Sequence, residues 1–149
     1  MSNSDDIQAI TRLKSQYSYG ANIMAGKPGD LDEFAGLFDE QAIFDVGMGE
    51  VCGPQAIKTL MQSLTTQWYC AMHYMLNPVI DIDGDYARAK FTGLFAFVSE
   101  PGAAPVWLSN IYHDTFVRTP EGWRFASVKV EQAFADPGFL SAYEGFIEQ

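Results

Sequence analysis

The chain has 149 residues, 48% of them hydrophobic, which is enough for one domain with a sizeable core and too apolar for a disordered segment. A formal net charge of −10 argues against nucleic acid and anionic membrane surfaces, both of which attract basic patches. No apolar run approaches the roughly 20 residues that span a bilayer, and the polar start Met1-Ser2-Asn3-Ser4-Asp5-Asp6 lacks the basic and apolar regions of a signal peptide.

Ser4 reads as the N-cap of a first helix, with Asp5 and Asp6 in the first turn, where the helix dipole favours negative charge. Ile7, Ile10, Leu13, Tyr17, Ala21 and Met24 then recur at three- and four-residue steps, one face of an amphipathic helix. Gly26-Lys27-Pro28-Gly29 stops it. Asp30 caps a short second helix, with Glu33 completing a capping box and Leu31, Phe34, Leu37 and Phe38 on its buried side. Residues 42–46 read as a strand, which turns at Gly47-Met48-Gly49 and returns through Glu50-Val51-Cys52. Gly53-Pro54 opens a third helix lined by Ile57, Leu60, Met61 and Leu64.

From Met72 the pattern changes to strands. Residues 73–82 run to Asp83-Gly84, a tight-hairpin signal, and residues 86–98 return with Ala87, Ala89, Phe91, Gly93, Phe95 and Phe97 on one face. Residues 106–118 and 123–132 follow, separated by Thr119-Pro120-Glu121-Gly122. Helices first and long antiparallel strands after give an α+β class, with helices packed on one side of a curved sheet, in a single domain over residues 1–149. The eleven Phe, seven Tyr and three Trp suit a ligand cavity or a subunit interface, and equally a core of large residues. Cys52 and Cys70 have no metal or redox spacing and read as reduced, buried thiols of a cytoplasmic protein.

Several of these segments resemble the nuclear transport factor 2-like superfamily, in its SnoaL-like branch with scytalone dehydratase and bile-acid dehydratase. They are the Tyr-rich first helix, Asp30-Leu31-Asp32 before Leu37-Phe38, Ala42-Ile43-Phe44-Asp45 and Gly53-Pro54-Gln55-Ala56-Ile57. His73-Tyr74 with Asn77-Pro78, Asp83-Gly84-Asp85 and Gly122-Trp123-Arg124-Phe125 complete the set. The resemblance implies a cone-shaped α+β half-barrel, three N-terminal helices on a strongly curved, mainly antiparallel sheet enclosing one pocket. It also implies a homodimer or higher homo-oligomer formed through the sheet. This fold hosts cyclases, isomerases, dehydratases, hydrolases and binders, so chemistry has to be argued from the site.

In dehydratase-like members a His at the start of the third strand pairs with an Asp near the end of the first helix. His73 matches the His, and the Asp position falls near Met24. Neutral His is the side chain best suited to moving protons near pH 7; the bland alternative is a buried His bonded to a backbone carbonyl. The same members place a catalytic Tyr about five residues before the Asp, which fits Tyr19, whereas helical phase favours Tyr17. A phenol there can donate to a carbonyl oxygen as it gains charge. Asn110 and Tyr112, with Asp114, share one face of the third long strand and are candidates to hold a substrate oxygen, with Phe95 on the pocket wall. Ser109 and His113 take that place if the opposite face is concave. Lys129, with Glu131, is a polar anchor if it faces the cone and an exposed pair if it does not.

The implied activity is a cofactor-independent, dehydratase-like lyase acting on a hydrophobic, oxygenated, aromatic or polycyclic small molecule. His73 serves as base, and Tyr17 or Tyr19 stabilises the oxyanion or protonates the leaving group. A non-catalytic binder with the same pocket, an isomerase, a carbon–carbon lyase or a structural dimer are the alternatives. No metal or cofactor motif stands out.

Overall fold

The computed structural model describes residues 2–139; Met1 and residues 140–149, which the expected single domain includes, lie outside the described part. Helix α1 (Asn3–Ala21) starts and ends earlier than its periodicity suggests. Ser2, rather than Ser4, is the N-cap. Its hydroxyl accepts from the Asp5 backbone N–H, and the Asp5 carboxylate accepts from the Ser2 backbone N–H. At the other end Asn22 turns extended (φ −64, ψ 146), and the chain becomes strand β1 (Ile23–Met24) with Ile23 opposite Ala71. Ala25 and Gly26, both at positive φ, reverse it into β2 (Lys27–Pro28). The helical phase that aligned Met24 with Tyr17 therefore stops at Ala21, and Met24, on β1, is 64% exposed.

Helix α2 (Leu31–Ala35) is capped by Asp30, whose carboxylate accepts from the Glu33 N–H. Strand β3 (Phe38–Asp45) begins four positions before the expected Ala42 and pairs with β4 (Val51–Cys52). Helix α3 (Pro54–Thr65) follows Gly53 at φ +86, a value that favours glycine. The long strands are β5 (Cys70–Asp83), β6 (Tyr86–Val98), β7 (Val106–Thr119) and β8 (Gly122–Ala135). Among the described residues the sheet runs β2-β1-β5-β6-β7-β8-β3-β4. Every pair is antiparallel except β3 with β8, which is parallel.

Bulges curl this sheet into a half-barrel. One lies in β5 between Leu76 and Val79, where Asn77 takes φ +51 and Pro78 has no N–H for the ladder. Others lie on β8, where Ala133 and Ala126 are the extra residues opposite the Ser109–Asn110 and Thr115–Phe116 steps of β7. The alternation on β6 buries Ala87, Ala89, Phe91, Phe95 and Phe97 on the concave side. There they meet Ile10, Leu13, Tyr17 and Ala21 of α1 in one core cluster. Asp6 ties the start of the helix to the sheet. Arg118 donates to both of its oxygens (2.8 and 2.9 Å) and the Trp123 indole N–H to one (3.0 Å), which hold its carboxyl down at about 2. Cys52 is exposed rather than buried because β4 is a two-residue edge strand; both cysteines are free thiols.

Candidate active site

The concave face does not close completely on α1 and α3. A cavity of about 120 Å³ remains, walled by Ile23, Phe44, Met61, Leu64, Phe95, Phe97 and Leu108 among others. His73, Tyr17, Tyr112 and Asn110 supply polar groups to this apolar lining, the composition of a small-molecule site. Strand phase puts them there. His73 on β5 lies opposite Phe95 on β6, whose other neighbour on β7 is Leu108. Asn110 and Tyr112 follow on the same face of β7, and both are buried.

Asn22 decides the state of His73. Its Oδ1 accepts from the His73 backbone N–H at 2.7 Å, which fixes the amide's orientation because that donor cannot reverse. The same oxygen lies 3.1 Å from His73 Nδ1, so Nδ1 carries the proton and Nε2 keeps its lone pair. Among the described residues Nε2 has no hydrogen-bond partner. The Ser18 hydroxyl donates to the His73 carbonyl, so α1 holds this residue at both backbone polar groups. Phe95 meets the imidazole edge-on at 5.2 Å. Burial, helped by the charge of Lys14, lowers the His73 pKa to about 4, so the ring is neutral near pH 7.

Opposite this base stand two phenols. The Tyr17 and Tyr112 hydroxyl oxygens are 3.4 Å apart, a long contact in which either can donate. Their rings meet edge-on at 5.9 Å. Burial raises both pKa values, so both stay protonated and act as donors. Below them Lys14 and Asp114, each 1% exposed, form an ion pair with Nζ and Oδ2 2.8 Å apart. The ammonium lies 3.6 Å from the Tyr112 ring centre and 4.2 Å from that of Tyr17. Sequence reasoning placed Asp114 on this face but passed over Lys14. The available signal was a lysine at the buried phase of α1, four positions after Ile10 and three before Tyr17.

Of the other expected site residues, Phe95 and Asn110 line the cavity, and the Asn110 amide makes no side-chain hydrogen bond among the described residues. Tyr19, at 77% exposure, projects away from it, two positions along the helix from Tyr17. Met24 is exposed on β1, and the position beside His73 that it was expected to fill is occupied by Asn22. Lys129 is exposed on the outer face beside His113, whose Nε2 approaches Glu131 at 3.4 Å. No group of three or more His, Cys, Asp and Glu that could hold a metal ion occurs among the described residues, and no helix among them is long and apolar enough to cross a membrane. The arrangement sets a neutral imidazole and a pair of phenol donors on one largely apolar cavity.

A family model described as a SnoaL-like domain matches residues 2–129. No curated protein matches the chain. Solved structures of similar shape include a Novosphingobium aromaticivorans protein provisionally described as a scytalone dehydratase. It is 21% identical, with 90% of this chain and 88% of that chain covered and a TM-score of 0.77. A hexachlorocyclohexane dehydrochlorinase from Novosphingobium barchaimii is 18% identical, with 90% of each chain covered and a TM-score of 0.76. A Kribbella flavida protein is also 18% identical, with 93% of this chain and 98% of that chain covered and a TM-score of 0.79. At these identities the likeness is one of fold.

Proposed function

This chain belongs to the SnoaL-like domain family, and from that premise we propose that its cavity is the active site of a cofactor-independent lyase. The reaction is elimination, with water as the leading departing group, from a compact oxygenated ring compound. His73 Nε2 takes the proton from a carbon next to a carbonyl. Tyr17 and Tyr112 donate to the carbonyl oxygen as it gains charge. The C–O bond to the departing hydroxyl then breaks, and the proton held on His73 passes to that oxygen, so that water leaves and the imidazole is neutral again.

The observation that carries this reading is the Asn22 Oδ1 contact with the His73 backbone N–H and Nδ1, which leaves the Nε2 lone pair unused beside the cavity. A base whose pKa is about 4 is weak. It suits a proton already acidified by a neighbouring carbonyl, and it gives the proton up readily. The cavity of about 120 Å³ approaches the ~150 Å³ that holds a benzene-sized guest. A single substituted ring therefore calls for a small outward shift of the flexible Met48 and Met61 side chains that line the space, and a polycyclic substrate for a larger one.

The test is turnover of a panel of single-ring β-hydroxy ketones by the wild-type protein and by His73→Ala. A loss of ~10²–10⁴-fold in the variant is expected; turnover within a few-fold of wild type rejects His73 as the base. A second reading, a binder without chemistry, is favoured by Asn22 itself, because an amide does not stabilise an imidazolium as a carboxylate does. Tight binding with no turnover across the panel selects it. In either case we place the protein in the cytoplasm, where free thiols persist, as a dimer joined through the outer face of its sheet.

A further inference from the structure

A lysine and an aspartate at 1% exposure each are an expensive core element. Removing two charges from water costs several kcal/mol per ion, and an apolar pair of similar volume is often as stable or more so. Here the cost is not offset by further bonding. Beyond their mutual approach at 2.8 Å, neither Lys14 Nζ nor either Asp114 oxygen has a hydrogen-bond partner among the described residues. Neither residue lines the cavity, which excludes Lys14 as a nucleophile on a bound molecule. What Lys14 does touch is the ring faces of the two tyrosines that reach the cavity, at 3.6 and 4.2 Å, with Phe91 and Phe125 beyond at 5.2 and 5.5 Å. Its charge also reaches the far side of the space, where it lowers the proton affinity of His73.

We propose that the buried Lys14–Asp114 pair is a positioning element that sets Tyr17 and Tyr112 as a paired donor for one anionic oxygen, so that the cavity takes a phenol or enol as its anion. The ammonium between the two ring faces fixes their edge-on packing and adds positive potential behind both hydroxyls. Burial lowers the Lys14 pKa and raises that of Asp114, and their 2.8 Å approach opposes both shifts; Asp114 is thus the group that keeps the ammonium charged and in place. The long 3.4 Å contact between the hydroxyls leaves room for a ligand oxygen to accept from both. The proton lost by the ligand goes to solvent or to His73 Nε2. This rests on the assignment of Tyr17 and Tyr112 as oxygen-binding groups made above, and extends it to what supports them and to the charge of the ligand.

The probe is 4-nitrophenol, whose neutral and ionised forms absorb at different wavelengths, titrated against wild type, K14M/D114L and Y17F/Y112F. Wild type is expected to bind the anion at least tenfold tighter than the neutral phenol, and thus to lower the apparent pKa of the bound probe. Y17F/Y112F abolishes that preference, and K14M/D114L, checked for native packing by near-ultraviolet circular dichroism, reduces it tenfold or to nothing. If that variant does not fold, K14Q, whose amide can bond a protonated Asp114, is expected to show the same fall. A preference lost in Y17F/Y112F but intact in the folded lysine variant overturns the role of the pair and leaves the tyrosine site standing. No preference in wild type overturns both.

Discussion

Asn22 presents one oxygen to two protons of the same residue and so orients His73 as a carboxylate would, without a carboxylate's charge. The sign of the resulting pH dependence follows. The free base is the neutral imidazole, present above about 4 and lost as pH falls through that value. Asn22→Asp places a negative charge at Nδ1 and raises the His73 pKa. The acid limb of kcat/KM should therefore move up by about one unit or more, and turnover near pH 7 should rise roughly tenfold. An unmoved acid limb, measured as a pH profile of the variant, contradicts this account of His73. At this scale the placing of five candidates was legible: His73, Tyr17, Asn110, Tyr112 and Phe95 all reach the cavity wall. Asn22 was not legible because its role depends on where the helix ends. Lys14 was not because a lysine in an amphipathic pattern reads as solvated.

The elements explain those misses. A seven-residue step from Tyr17 to Met24 keeps one face only while the backbone stays helical, and α1 ends at Ala21, with Gly20 in its last turn the weak local sign that the periodic reading passed over. The pairing of Ile23 with Ala71, a contact 48 positions distant, ends the helix there, and local spacing carries no trace of it. Strands were read more safely because a period of two gives each face its own composition, as the buried alternation on β6 demonstrates. Gly93 in that strand has a direct consequence for the site. A Cβ there would sit 2.6 Å from Phe95 Cζ and 2.8 Å from Tyr112 Cε2. Gly93→Ala should push both rings into the cavity, costing ~1–3 kcal/mol of stability and weakening 4-nitrophenol binding by roughly tenfold or more. Unchanged affinity in calorimetric titration would show that these rings do not shape the binding space.

For the whole molecule the curled sheet presents two different faces. Its concave side holds the cavity. Its convex side carries Tyr74, Leu94, Ser109 and Phe134 in one cross-strand row, with Leu76 and Ile111 nearby. Tyr74, Leu76 and Phe134 are 43%, 43% and 51% exposed, an apolar surface that the proposed dimer would cover. Sedimentation velocity should give twice the 16.5 kDa chain mass, and Leu94→Glu, at the centre of the row, should give the single-chain mass. A wild-type monomer at micromolar concentration contradicts the dimer.

The central claim is the protonation state of one imidazole beside a hollow space, and nitrogen-15 NMR of the two histidines over a pH titration tests it most directly. The account predicts that His73 at pH 7 carries its proton on Nδ1, leaves Nε2 free, and titrates near 4, while His113 gives a separate signal. A His73 protonated on Nε2, or charged at pH 7, would contradict it.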